Sequence, residues 1–406
     1  MGEFKRMATQ DLVHLKQALV LARRGYGQTS PNPMVGAILV KGSCVLGRGW
    51  HKHAGGPHAE VEAIKDAIAR GRKLNGATLY VTLEPCCTTG RTPPCTQAIL
   101  NAGIKRVVAA VQDPNPLHSG RGFALLQKAG LSVLCASHLC TDSPKPSSLD
   151  RVVRDCEVLN ESFNHWIVHR TPFVTVKAAM SLDGKIATAA GHSKWITGKQ
   201  AREWGMHLRA GHDAIIVGVN TILADDPSLT LRSKAGRAVE KTPPLRRIIL
   251  DSRARTPSTA RVLNDSQAHA TTVVVGRGAN PRKVAALARK ADVLRVPVGR
   301  RGVNLSSLLR RLGKEGVVNA LVEGGGEVHA SFLLGGLAQR VAFFYAPKIL
   351  AGRDARKAVA GNGAATRNQV LRLHDLHWKK FGRDLFLSAR VVNPLKSPLD
   401  RSLSAR

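Results

Sequence analysis

Three residues of this chain could together hold a transition metal: His58, Cys86 and Cys95, with Glu60 two positions beyond the histidine. Zinc-assisted hydrolysis needs three protein ligands from soft or borderline donors, with a fourth position left to water. A carboxylate beside such a site can take a proton from the attacking water and hand it to a departing amine. A lone histidine and two cysteines are more often structural. Here they come with company, in the triplet H-A-E (58–60) and the run P-C-x8-C from Pro85 to Cys95. One tetrahedral ion does not readily accept adjacent side chains, so Cys87 reads as a bystander to Cys86. Cys44, Cys135, Cys140 and Cys156 lie in apolar or linker surroundings and read as packing residues.

These side chains need a scaffold that gathers positions 58, 86 and 95. A helical pattern through Leu12, Leu15 and Leu19 stops at Gly25 and Gly27. After the turn-rich TSPNP segment come two short strands, VGAILV (35–40) and CVLGRGW (44–50), joined across Lys41-Gly42-Ser43. His58 to about Arg70 reads as a helix led in by Pro57 and closed by Gly71. A buried strand, ATLYVTL (77–83), precedes the cysteine-rich loop. A helix from Pro94 to Asn101 and the strand IKRVVAAVQ (104–112) follow. His58 and Cys95 thus stand at helix starts and Cys86 in the turn after a strand, where helix N-termini favour thiolates over thiols. Strand and helix alternate, so this half is α/β.

Residues 141–149, TDSPKPSSL, form a break, and a helix follows over about Arg151–Trp166. The sequence therefore divides into residues 1–170, with a core over about 8–145 and then a linker helix, and residues 171–406, with a tail from about 393. The second half carries strands at 173–179, 213–219, 245–251, 271–276, 318–323 and 340–346, and helices at 199–210, 281–291, 303–315 and 327–335. Within it, VEGGGEVHASFL (322–333) is a strand, a glycine cluster and a helical pattern. Glycines at a helix start let backbone N–H groups approach a phosphate, although such a cluster is as often a plain turn. RRIILDSRAR (246–255) ends a strand with Ser252 and Arg253, a hydroxyl and a guanidinium able to hold a ribose 2′-phosphate; a solvated basic loop is the alternative.

Composition narrows the function classes. Lys and Arg total 61 against 28 acids, a formal net charge of +33, and such a field attracts phosphorylated ligands or polyanions. The basic residues are dispersed and aromatics make up 4%, so base-stacking platforms are scarce and no nucleic-acid partner is expected. No apolar run approaches the ~18 residues of a membrane-spanning helix, and no apolar leader is seen, so a cytoplasmic protein without membrane attachment is expected. Seven cysteines, an odd number, argue for metal or catalysis rather than a disulfide framework.

The pattern H-A-E followed by P-C resembles the zinc nucleobase deaminases, with eight residues rather than two between the cysteines. YVTLEPCCTTGRTPPC (80–95), with PNPMVGAILV (31–40), GWHKHAGGPHAE (49–60) and QDPNP (112–116), resembles the deaminase domain of bifunctional riboflavin-biosynthesis proteins, where that longer spacing is characteristic. This chain has Cys87-Thr88-Thr89 where that family has Ser-His-His. KAAMSLDGKIA (177–187), SKWITG (193–198), NTILADDPSLTLR (220–232) and the VEGGG segment are similar to the reductase domain of the same family, related in fold to dihydrofolate reductase. Together the resemblances span roughly residues 8–392 in the family's own order.

That resemblance implies an α/β chain with an N-terminal cytidine-deaminase-like zinc domain and a C-terminal dihydrofolate-reductase-like domain. It implies hydrolytic deamination of a diamino-phosphoribosylaminopyrimidinone, then NADPH-dependent reduction of the ribosyl side chain of the resulting aminouracil to ribityl. One Zn2+ per chain is expected on His58, Cys86 and Cys95, with Glu60 catalytic. The family's NADP contacts fall on Ala179, Trp195, Thr221, Asp225, Ser252 and the loop Gly325, Gly326, Glu327, Val328, His329, Ala330 and Ser331. Its substrate contacts fall on Ser193, Arg209, Leu229, Arg232 and Glu323, with Arg209 and Arg232 able to clamp a ribose phosphate. Lys177 and Asp225 are candidates for polarising the sugar carbon, and Asn32 is either a pyrimidine contact or a turn residue. Phosphorylated pyrimidines are the expected partners, and a homo-oligomer the expected assembly.

Overall fold

The computed structural model describes Met7 and residues 9–90, 92–140, 145–233, 238–239, 241–299 and 302–392. Contacts divide the chain between Arg170 and Thr171 into two compact units. The tail expected from about 393 lies outside the described residues, as does part of the 141–149 break.

The first unit runs α1 (Thr9–Ala22), β1 (Gly36–Lys41), β2 (Cys44–Trp50), α2 (Ala59–Ala69), β3 (Thr78–Leu83), α3 (Cys95–Asn101), β4 (Arg106–Val111), α4 (Arg121–Lys128), β5 (Ser132–Cys135), α5 (Ser148–Leu159) and α6 (Glu161–His169). Its five strands lie in the order β2-β1-β3-β4-β5, antiparallel across β1 and parallel from β3 to β5. The placement of α2 follows from small residues. Ala59, Ala63 and Ala67, four apart and fully buried, form one helix face against β2. A Cβ on Gly49 would stand 2.3 Å from the backbone of Ala59 and Ala63, and one on Gly47 2.3 Å from Ala63. Only glycine lets the helix lie this close, and that closeness sets His58 at its N-cap against the sheet.

The helix expected over 151–166 is two helices broken at Asn160. Its buried side chain accepts from the Met34 N–H at 2.8 Å and donates to the Met34 carbonyl at 2.9 Å. It tethers the PNPM loop, and the helix yields to that pairing. The short elements α4 and β5 were not expected from the sequence. Cys135 and Cys156 are buried, as packing residues should be, whereas Cys44 is exposed at the start of β2.

The second unit runs β6 (Phe173–Ser181), β7 (Lys185–Ala187), α7 (Lys199–Ala210), β8 (Ala214–Gly218), α8 (Val219–Asp225), β9 (Leu231–Arg232), β10 (Ala238–Val239), β11 (Arg246–Leu250), β12 (Thr271–Gly276), α9 (Pro281–Ala288), β13 (Asp292–Val296), β14 (Val298–Gly299), β15 (Gly302–Val303), α10 (Leu305–Lys314), β16 (Asn319–Val322), α11 (Gly326–Leu334), β17 (Arg340–Ala346), β18 (Arg356–Lys357), β19 (Arg372–Phe381) and β20 (Asp384–Val392). Nine strands form one sheet in the order β13-β12-β11-β8-β16-β6-β17-β20-β19. From β13 to β17 every pair is parallel; β20 and β19 add an antiparallel hairpin. Strands covered on both faces read as continuous apolar runs, as AIIVG of β8 does, and such runs are visible in sequence. The hairpin is not, because β19 is mostly exposed and carries a polar run. Arg247 and Arg246 pair with Asp265 and Glu315, and Arg247 is fully buried. Among the described residues no helix is long and apolar enough to cross a membrane.

Candidate functional site

In the first unit, His58, Cys86 and Cys95 place their ligand atoms within 4.8 Å of one another. His58 caps α2, Cys86 follows β3, and Cys95 opens α3 after Pro94. His58 Nδ1 lies 3.2 Å from Cys95 Sγ and 3.5 Å from Cys86 Sγ. A tetrahedral zinc with bonds of about 2.0–2.3 Å has ligand-to-ligand edges of roughly 3.5–3.8 Å, so the three donors stand near the spacing one ion requires. The Cys95 N–H donates to Cys86 Sγ at 3.4 Å. The Cys95 side chain, His58 and this backbone donor together hold the Cys86 thiol down to about 4, against its own burial. A thiolate is the form that ligates metal.

Glu60, on the first turn of α2, is 3% exposed. Burial, then the neighbouring Cys86 charge, raise its carboxyl to about 7. It is not among the three clustered donors, and a carboxyl raised toward neutrality is suited to proton transfer. Cys87 is outside the cluster too, and burial, then the Glu84 charge, push its thiol up. Thr88, in the segment that departs from the resembled family, has its hydroxyl 3.4 Å from His118 Nδ1.

Two residues near this site were not singled out from the sequence. His51 is buried, and its Nδ1 donates to the Pro57 carbonyl at 3.0 Å; its Nε2 therefore accepts from Asn32 Nδ2 at 3.2 Å. That contact fixes the Asn32 amide so that its oxygen remains for another donor. Glu84 is buried, and its carboxylate accepts from the N–H groups of Asp113, Gly120, Gly122 and Phe123 at 2.9–3.2 Å. It pins the 113–123 loop and the start of α4 next to the cysteine loop. A carboxylate two residues before a candidate ligand, ahead of a turn-rich QDPNP stretch, is the signal that could have found it.

The second unit contains a cavity of about 1760 Å3 at the carboxyl ends of the parallel strands, where open α/β sheets take ligands. Its wall includes Ala179, Ser193, Thr221, Asp225, Ser252, Glu323 and every residue from Gly324 to Ser331, together with Lys177. The glycine loop is built to be close to something. Gly326 opens α11, and a Cβ there would stand 2.2 Å from the Lys357 carbonyl, whereas Gly325 faces open space. Backbone N–H groups at such a helix start suit a phosphate.

At the cavity wall Glu323 receives Arg209 as a fork, Nε to Oε1 at 2.8 Å and Nη2 to Oε2 at 2.9 Å, with Lys177 Nζ at 3.6 Å. Burial would raise the Glu323 carboxyl, but Arg209 and Lys177 hold it down at about 2. Arg209 spends its remaining nitrogen on the Thr230 carbonyl at 3.0 Å. Arg209 thus commits three of its five N–H groups to Glu323 and Thr230.

Four expected contacts do not line the cavity: Arg209, Trp195, Leu229 and Arg232. Trp195 is 65% exposed and lies under Arg202; Leu229 is buried in the apolar core with a left-handed φ of 56°; Arg232 is exposed at the end of β9. Arg253, paired with Ser252 in the sequence as a 2′-phosphate reader, is exposed and also off the wall. Arg255 lines it, with Nη2 donating to Asn220 Oδ1 at 2.8 Å. The turn after Asp251 carries Ala254 at φ 55°, which reverses the chain and turns the second arginine, not the first, toward the cavity. Ser193 Oγ donates to Asp225 Oδ1 at 3.2 Å, so two expected contacts hold one another.

Comparison with known proteins covers both units. The family model described as RibD C-terminal domain matches residues 172–387, and that of the cytidine and deoxycytidylate deaminase zinc-binding region matches residues 8–111. The riboflavin biosynthesis protein RibD of Aquifex aeolicus is 43% identical over 340 residues, covering 84% of this chain and 88% of the relative. RibD of Bacillus amyloliquefaciens is 40% identical over 379 residues, covering 93% and 95%. Among solved structures, Acinetobacter baumannii RibD superposes with a TM-score of 0.80 at 35% identity, covering 95% of this chain and 99% of that one. A Thermotoga maritima diaminohydroxyphosphoribosylaminopyrimidine deaminase/5-amino-6-(5-phosphoribosylamino)uracil reductase superposes with a TM-score of 0.74 at 31% identity, covering 94% and 99%.

Proposed function

Since this chain belongs to the RibD family of bifunctional riboflavin-biosynthesis enzymes, a deaminase joined to a reductase, we propose that its two sites act on one phosphorylated pyrimidine in turn, with the residue roles that follow. The observation that carries the first half is Glu60, a buried carboxyl raised to about 7 beside three clustered donors. Zinc, when bound by His58, Cys86 and Cys95, supplies the Lewis acid that makes water nucleophilic at neutral pH. Glu60 takes the proton as the water oxygen bonds to the amino-bearing ring carbon. It returns that proton to the amine as the carbon–nitrogen bond breaks and ammonia leaves. Asn32, its amide oriented by His51, offers its oxygen to a ring N–H or amino group of the pyrimidine.

In the second unit the cavity wall supports reduction. NADPH, when bound, supplies the hydride; the protein supplies position and charge. The glycine loop 324–326 and the start of α11 take the pyrophosphate, and Ser252 with Arg255 face the adenosine end. Lys177, whose ammonium is shared only loosely with Glu323, retains donors for a sugar oxygen. Glu323, held ionised by Arg209, accepts from polyol hydroxyls, so Arg209 serves as a positioning residue. Ser193 and Arg232 remain as outer contacts to the phosphoribosyl group.

The partners proposed are small phosphorylated pyrimidines in the cytoplasm, with a homo-oligomeric assembly. The outer strand β19 supports the last point, since it leaves Leu376 and Trp378 exposed at a sheet edge. Incubating the protein with the phosphoribosylaminopyrimidine, with and without NADPH, and weighing the products by mass spectrometry tests the whole scheme. Deaminated product is expected without NADPH, its ribityl form with it, and nothing from tRNA. Deamination of tRNA alone would overturn the scheme.

A further inference from the structure

The first unit also holds a small cavity apart from its metal donors. Helices α1 and α5 pack against each other and leave about 270 Å3 between them. The walls repeat one spacing, with Lys16, Leu19, Val20 and Arg23 from α1. From α5 come Ser148, Arg151, Val152 and Asp155. Positions i, i+3, i+4 and i+7 share one helix face, so each wall extends over two turns, ~10 Å. None of these residues belongs to the metal trio or lines the large cavity of the second unit.

The lining divides by chemistry. Leu19 and Val152 are buried and give the groove an apolar floor. Arg23 Nη2 reaches Asp155 Oδ2 at 3.3 Å, which sets one cation against the one carboxylate of the wall. Arg151 is steadied on the first turn of α5, where its Nη2 donates to Ser148 Oγ at 3.1 Å. Its other guanidinium N–H groups, and the Lys16 ammonium, make no hydrogen bond among the described residues. Two cations are therefore uncommitted, and a phosphate monoester carries about −2 near neutrality. The cavity exceeds a bare phosphate and falls just short of the ~300 Å3 at which drug-sized ligands are held, so the phosphate comes with a small body. Asp155 only accepts hydrogen bonds, so it favours hydroxyl groups on that body and opposes a second anion. We propose that the groove between α1 and α5 binds a phosphorylated sugar. The phosphate lies on Lys16 and Arg151, the hydroxyls face Asp155, and the carbon skeleton rests on Leu19 and Val152.

Ribose 5-phosphate, ribose and inorganic phosphate are the probes, titrated by calorimetry into the full-length protein, with the deamination rate as the check on folding. The wild type is expected to bind ribose 5-phosphate at least ~10-fold more tightly than ribose or inorganic phosphate. Lys16→Ala combined with Arg151→Ala removes both charge-assisted contacts. It should weaken ribose 5-phosphate at least ~10-fold and leave deamination unchanged. Val20→Trp keeps every charge and fills the groove from a position that is 57% exposed, and is expected to weaken the sugar phosphate as strongly. No binding by the wild type would overturn the proposal, as would ribose binding as tightly as its phosphate. Equal affinity for inorganic phosphate would overturn it too, leaving an anion patch with no place for a sugar. Wild-type affinity in the double alanine variant would mean that the ligand sits elsewhere in the protein. Wild-type affinity in Val20→Trp would mean that surface charge holds it and the groove does not; either result sinks the assignment.

Discussion

The two sites are assembled over very different lengths of chain. In the first unit His58 meets Cys95 across 37 positions, and every metal donor lies at the end of a neighbouring element. In the second, Glu323 meets Arg209 across 114 positions. Sheet register closes that gap. Val322, the last residue of β16, pairs with Val176 on β6, so Glu323 leaves its strand beside Lys177, which lies within β6. A site compressed into motifs declares its chemistry through residue type and spacing. A site closed by parallel pairing scatters its residues, and their partners follow from topology.

The largest expected effect tests the compact site. Cys95→Ser should lower zinc from about one per chain and take deamination to background, while reduction of already deaminated substrate continues. Metal analysis showing full occupancy in that variant would remove Cys95 from the ligands. The scattered site breaks differently. Glu323→Gln leaves Arg209 buried without its counter-charge, and such losses destabilise by about 3–5 kcal/mol. Calorimetry should show the transition of the second unit falling while that of the first stays; a shift in neither would mean that Arg209 finds another partner.

Acid should separate the units in the same way. Burial holds His329 at about 4, below its ordinary 6.5. Between those values the unfolded chain binds a proton that the folded one refuses, so stability of the second unit is lost as pH falls through that window, by about 3 kcal/mol. Glu323, kept at about 2 by Arg209 and Lys177 in spite of its burial, extends the loss below its ordinary 4.5. Urea titrations of wild type and His329→Gln near neutrality and near pH ~4 measure the slope; equal slopes would show that His329 does not set it.

Glu60→Gln sharpens the first site. Zinc should remain while deamination falls at least ~10²-fold, about 2.7 kcal/mol. Near-normal turnover would deny Glu60 the proton transfer. The smallest effect concerns the adenosine end of the cavity. Arg255→Ala should weaken NADPH about ten-fold with little change for NADH, a charge-assisted contact being worth roughly 1.5–3 kcal/mol, whereas Arg253→Ala should match wild type. The reverse ranking would return the 2′-phosphate to Arg253.

What could be read from the sequence alone follows period and spacing. Apolar runs announced the parallel strands around β8, because strands covered on both faces need no polar residues. Glycine and proline punctuation bounded α2 and α3, and H-A-E with P-C-x8-C picked out the three side chains that the fold clusters, with Glu60 beside them. The hairpin of β19 and β20 was illegible, since an exposed outer strand has no apolar alternation to display. Only the fold decided that His51 orients Asn32, that Glu84 pins a loop through four backbone donors, and that Asn160 breaks a helix to hold Met34. It also decided that Arg209 serves Glu323 and that Arg255 rather than Arg253 turns inward. Each of these rests on which side chain a distant backbone or charge happens to face. Hydrophobic period encodes which face of an element is buried, but the pairing of polar groups inside is settled only when the elements pack.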